Sequence, residues 1–133
     1  MSYQNNTTSP HFLHGIRLLI VEDNAINVRI LELQLRKTGA SITTASNGRE
    51  ALSKIQSTTF DGIILDLHMP EMNGYDTIPH IQRLQPGAFI VVVTADILPE
   101  VSTRLAALRI KDILPKPYAA EALLDILAQH KPV

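Results

Sequence analysis

The chain of 133 residues contains no cysteine, which excludes disulfides and any zinc or iron–sulfur centre held by thiolates. It has no stretch approaching the ~18 consecutive apolar residues of a membrane span, so no membrane partner is expected. It lacks the basic segment followed by an apolar one that marks a secretory leader, and a cytoplasmic location is expected. The formal net charge is −1, which gives no electrostatic case for nucleic acid or an anionic membrane surface. Neither GxGxxG nor GxxxxGKS/T occurs, so the glycine-rich nucleotide loops are absent. There is no internal repeat and no low-complexity block. What remains is a chain with 45% apolar residues, long enough to bury one real core without staples.

Four short apolar runs stand out, and each ends on a polar residue. Leu18-Leu19-Ile20-Val21 leads into Glu22-Asp23, and Ile63-Ile64-Leu65 into Asp66. Ile90-Val91-Val92-Val93 leads into Thr94, and Ile113-Leu114-Pro115 into Lys116. Runs of this length, rich in Val and Ile, read as strands buried on both faces of a parallel sheet. In an open α/β sheet the ligand crevice lies outside the carboxyl ends of the strands. Three acids, a hydroxyl and an ammonium are therefore expected at one edge.

Residues 1–14 are rich in Asn, Thr, Ser, Gln, Pro and His and read as a flexible N-terminal tail, with the folded domain at 15–133. From Ile16 onward strand and helix alternate. Strands are expected at about Arg17–Val21, Ser41–Ala45, Gly62–Asp66, Ala88–Thr94 and Asp112–Leu114. Helices are expected at about Ala25–Lys37, Asn47–Gln56, Gly74–Leu84, Pro99–Leu108 and Ala119–Gln129. Asp23 or Asn24 caps the first helix and Gly39 stops it; Pro99 suits a first turn. Pro79 falls late for such a role, so the third helix is expected to kink or to start late. The polar second strand suits a sheet edge. Five β–α repeats with short connections imply a parallel sheet wrapped by helices on both faces.

Glu22, Asp23 and Asp66 meet if the first and third strands are neighbours. Two like charges ~4 Å apart repel by ~4 kcal/mol at an effective dielectric of ~20, so the trio calls for a cation. Oxygen ligands without His or Cys suit Mg²⁺ or Mn²⁺. Taken alone, Glu22 and Asp23 read as helix caps; Asp66 at the end of a second buried strand tips the balance to metal. Asp66 also has the chemistry of a nucleophile that forms an aspartyl-phosphate. Lys116 and the cation would suppress repulsion between the two anions. The Thr94 hydroxyl and the Ala95 backbone N–H would donate to the new phosphoryl oxygens. Pro117 biases Lys116 towards an extended backbone.

These residues resemble the receiver domain of two-component response regulators over about Ile16 to Ala128. The matching pieces are Ile20-Val21-Glu22-Asp23-Asn24, the segment Leu65-Asp66-Leu67-His68-Met69-Pro70-Glu71-Met72-Asn73-Gly74, the pair Thr94-Ala95, and Lys116-Pro117. The resemblance implies a flavodoxin-like, doubly wound sheet in the order 2-1-3-4-5. It implies that Asp66 takes a phosphoryl group from a histidine kinase or a histidine phosphotransfer protein. It further implies Mg²⁺ held directly by Asp23, Asp66 and the backbone carbonyl of His68, with Glu22 acting through water. Asn24, Asn27 and the stretch Asn47–Leu52 look most like receivers attached to hybrid sensor kinases. The product of such a domain is a conformation rather than a turnover. The face of the fourth helix, fifth strand and fifth helix, with Leu98, Val101, Ile113 and Tyr118, is the candidate surface for a downstream protein, and a weak homodimer is compatible with it.

Two departures from the family pattern are visible. Ile113 stands where most receivers carry an aromatic that swings inward on activation, and Leu108-Arg109-Ile110-Lys111 replaces a small, glycine-containing segment. His68 and Asp96 lie two residues past Asp66 and Thr94, positions that in the family tune hydrolysis of the acyl phosphate; one reading pairs them above the site to restrict water, and the more ordinary one leaves His68 a solvent-exposed side chain without a role. The competing readings are a phosphate-independent scaffold of the same fold and an aspartate-nucleophile phosphatase. The latter needs a second acid two residues after the nucleophile, where His68 stands.

Overall fold

The computed structural model describes residues 11–69, 72–96 and 98–130. Five strands, β1 (Arg17–Val21), β2 (Ser41–Ala45), β3 (Gly62–Asp66), β4 (Phe89–Thr94) and β5 (Asp112–Pro115), alternate with α1 (Ala25–Arg36), α2 (Gly48–Ser57), α3 (Gly74–Leu84), α4 (Pro99–Ala107) and α5 (Ala120–Ala128). All neighbouring strands pair in parallel, in the order β2-β1-β3-β4-β5. The polar β2 takes the edge, as its composition demands.

The core forms two layers because alternate residues of a strand face opposite sides of the sheet. Leu19, Val21, Ile63, Leu65 and Val92 pack with Ala51, Ile78, Ile81 and Leu105 of the α2–α3–α4 layer. Leu18, Ile20, Ile64, Val91 and Val93 pack with Leu31, Leu35, Leu123 and Leu127 of the α1–α5 layer. β3 is buried along its whole length. Among the described residues no helix is long and apolar enough to cross a membrane.

The helices begin where their caps dictate. Asn24, Asn47 and Asn73 each accept a hydrogen bond from the backbone N–H three residues on, at 2.9, 2.7 and 3.1 Å. Gly39, at φ +85°, ends the turn after α1 in the left-handed region that a side chain would strain. The expected late start of α3 is not observed. Its Asn73 cap and the bond from the Thr77 hydroxyl to the Asn73 carbonyl hold the first turn at Gly74, and the helix passes through the exposed Pro79 to Leu84.

Residues 11–14, expected to belong to the flexible tail, instead pack against the domain. Leu13 is fully buried in the α1–α5 layer, and its N–H donates to the Thr38 carbonyl at 2.8 Å. The Phe12-Leu13 pair is too short an apolar step to carry a periodic signal, so its burial comes from the partners the fold supplies. Residues 1–10 of the expected tail and Pro70-Glu71 of the central motif lie outside the described residues.

Candidate functional site

Strand register brings the polar ends together. Val21 is level with Leu65, Asp66 with Val93, and Thr94 with Pro115. Pairing continues past the strands: Leu67 N–H donates to the Val93 carbonyl at 3.1 Å, and Lys116 N–H to the Thr94 carbonyl at 2.8 Å. Glu22, Asp66, Thr94 and Lys116 therefore stand side by side at the carboxyl rim. The β3–α3 loop is held close: Gly74 N–H donates to the Leu67 carbonyl at 2.8 Å, and a Cβ at Gly74 would lie 2.9 Å from Leu67 Cα. A larger residue there would push α3 off the loop that follows Asp66.

Carboxylate oxygens of Glu22, Asp23 and Asp66 all lie within 4.8 Å of one another. Glu22 and Asp66 are buried, whereas Asp23 is open to solvent. Lys116 Nζ sits between two of them, 3.3 Å from Glu22 Oε1 and 3.5 Å from Asp66 Oδ2. Burial, and next the Asp66 charge, raise the Glu22 carboxyl above its ordinary value; the Asn24 N–H and Lys116 offset part of this. One ammonium against three acids leaves the cluster under-compensated. Three hard oxygen donors with no competing nitrogen or sulfur fit a divalent cation of the Mg²⁺ class.

Thr94 is buried, and its Oγ1 accepts from the Asp96 N–H at 3.0 Å. Ala95 is exposed and lines a cavity with Glu22 and Lys116. The His68 N–H donates to Asp66 Oδ1 at 3.3 Å, orienting the carboxylate, while its ring lies 3.7 Å from Asp96 Oδ2. The Lys116–Pro117 peptide is cis.

Two features of the site were not read from the sequence. Glu22 contacts Lys116 directly, a pairing that the separation of the two residues in the chain hides. Tyr118 lies beside Glu22 and Lys116 in the same cavity, although its position after β5 suggested a place on the α4–β5–α5 face. Burial, followed by the Glu22 charge, raises its phenol above the ordinary value. Of the other residues expected on that face, Leu98 is exposed and Ile113 half-buried, but Val101 is buried in the α2–α3–α4 layer because it lies on the inner side of α4. Leu98 is thus the openly accessible member.

The description "Response regulator receiver domain" matches residues 18–128. The chain is 36% identical over 110 residues to a response regulator receiver protein of Anaeromyxobacter sp., covering 83% of this chain and 46% of that protein. It spans less than half the length of this and other curated relatives it matches. The structure of the chemotaxis protein CheY4 of Vibrio cholerae superposes with a TM-score of 0.80 at 30% identity, covering 86% of this chain and 97% of that one. The receiver domain of the sensor histidine kinase PA1611 of Pseudomonas aeruginosa has a TM-score of 0.78 at 28% identity, covering 86% and 96%. That structure holds a magnesium ion in its active-site cleft. With five parallel strands in this order, an acidic trio at their carboxyl rim and a match over most of its length, the chain belongs to the response regulator receiver domain family.

Proposed function

We propose that Asp66 is the acceptor of a phosphoryl group delivered from a phosphohistidine on a histidine kinase or a histidine phosphotransfer protein. The observation that carries this reading is Lys116 Nζ poised between Glu22 and Asp66, with Asp23 completing the acidic cluster. An Asp66 side-chain oxygen bonds to phosphorus as the donor's N–P bond breaks. The electron pair of that bond returns to the imidazole nitrogen, which takes up a proton. Lys116 neutralises charge on the phosphoryl oxygens, and the Thr94 hydroxyl and Ala95 N–H donate to them. Asp23, Asp66 and the His68 carbonyl would hold Mg²⁺ or Mn²⁺, with Glu22 beside them to act through water. When bound, the cation shields the nucleophile from its anionic target.

The resulting acyl phosphate acts by population shift, favouring the arrangement of loops that binds it best. The placement of a magnesium ion in the relative from Pseudomonas aeruginosa supports the metal assignment. The test is intact mass after incubation with Mg²⁺ and phosphoramidate or acetyl phosphate. A gain of one phosphate in the wild type and none in Asp66→Asn is expected. No gain with competent donors would replace this reading with a scaffold of the same fold, and repeated turnover of small phosphoesters would replace it with a phosphatase.

A further inference from the structure

We propose that Tyr118 is the side chain that reports the state of Asp66, and that it does so on the α1–α5 side of the sheet. The inference rests on the phosphoacceptor reading above and adds the route by which the signal leaves the site. In β5, Ile113 packs on the α2–α3–α4 layer and Leu114 on the α1–α5 layer. Lys116 follows, its backbone pinned to the Thr94 carbonyl. Tyr118 then returns to the α1–α5 layer, where it is half-buried.

Its surroundings give it both a signal and room to respond. The signal runs Asp66–Lys116–Glu22–Tyr118. Lys116 is shared between the two carboxylates at 3.3 and 3.5 Å, and the Glu22 charge acts on the phenol. A phosphoryl group on Asp66 adds negative charge on one side of Lys116 and draws the ammonium towards it. Glu22 then loses its partner, and the field at Tyr118 changes. The room is a cavity of about 430 Å³ that Tyr118 lines with Ile30 and Leu31 of α1 and with Glu22, Ala95 and Lys116 of the site. Close-packed interiors resist movement of an aromatic ring, whereas a cavity at the ring's edge permits it. Ile30 lines this cavity and is 47% exposed, so a shift of the ring alters the outer surface of α1.

The experiment replaces tyrosine with 3-fluorotyrosine and follows ¹⁹F resonances alongside intact mass. The chain has three tyrosines, Tyr3, Tyr75 and Tyr118, and Tyr→Phe variants assign them. Mg²⁺ is added first and phosphoramidate second. The expected result is one phosphate gained and a Tyr118 resonance moved to a new position, with a changed solvent isotope shift and Tyr75 little affected. In Ile30→Trp, which fills the cavity, phosphate gain is retained and the Tyr118 displacement is reduced. If phosphate is gained while the Tyr118 resonance stays in place, the Tyr118 proposal is overturned and the phosphoacceptor reading stands. If no phosphate is gained with competent donors, both fall together.

Discussion

His68 and Asp96 make contact across the mouth of the site, Nε2 to Oδ2, at 3.7 Å. Asp96 also accepts from the Leu98 N–H through Oδ1 and donates its own N–H to Thr94 Oγ1. One residue thus touches the Thr94 hydroxyl, the entry to α4 and the loop after Asp66. The His68 side chain is 55% exposed, and a solvated pair of this kind contributes about 0.2–1 kcal/mol. If the pair restricts the water that hydrolyses an acyl phosphate on Asp66, His68→Ala should speed decay by up to about fivefold. Following the phosphorylated mass over time checks this, and an unchanged decay rate would remove His68 from the mechanism.

At the scale of one element, α2 shows how a helix start couples to its surroundings. Glu50 N–H donates to Asn47 Oδ1 at 2.7 Å, while Glu50 Oε1 accepts from both the N–H and the hydroxyl of Ser46 at 2.7 Å. The arrangement is a capping box displaced by one residue. Those Ser46 bonds, more than Lys54, hold the Glu50 carboxyl below its ordinary value. A depressed acid stabilises the fold above its unfolded-state value and loses that contribution as pH falls. Glu50→Ala should therefore cost about 0.5–1 kcal/mol at pH 7, and the gap from wild type should narrow in urea titrations below the ordinary carboxylate range. The spacing of Asn47 and Glu50 is legible in the sequence. Leu13 and Val101 are not: the first belongs to a two-residue apolar step, Phe12-Leu13, too short for a periodic pattern, and the inner side of α4 is set by what it packs against.

For the whole molecule, the acidic rim places charge against stability. Glu22 is raised by burial and by Asp66, so the folded chain holds that proton more tightly than the unfolded chain does. As pH rises through the unfolded-state value the unfolded chain gives up its proton first, so stability falls until the folded chain loses its own at the raised value. Without metal, the folded state should weaken as pH climbs from the carboxylate range towards neutrality, and Glu22→Gln should flatten that slope. Mg²⁺ at a hundredfold excess over its Kd should add about 2.7 kcal/mol in the wild type and less in the variant. Thermal unfolding with and without Mg²⁺ across this range checks both. A wild-type midpoint indifferent to Mg²⁺ would remove the metal from the account.

The sequence by itself determined β1, β3 and β4, because a segment buried on both faces must be apolar along nearly its whole length, and the polarity of β2 marked it as an edge. It also determined which polar residues end them, and hence the chemistry available at one rim. Only the tertiary structure decided which of those groups share a charge: Lys116 lies 94 positions from Glu22, yet 3.3 Å away. It likewise sent Ile113 and Tyr118 to opposite faces of the sheet and buried Leu13. Alternation within a strand gives the two faces, but which helix covers each, and where a cavity is left between them, depends on packing that no local pattern contains.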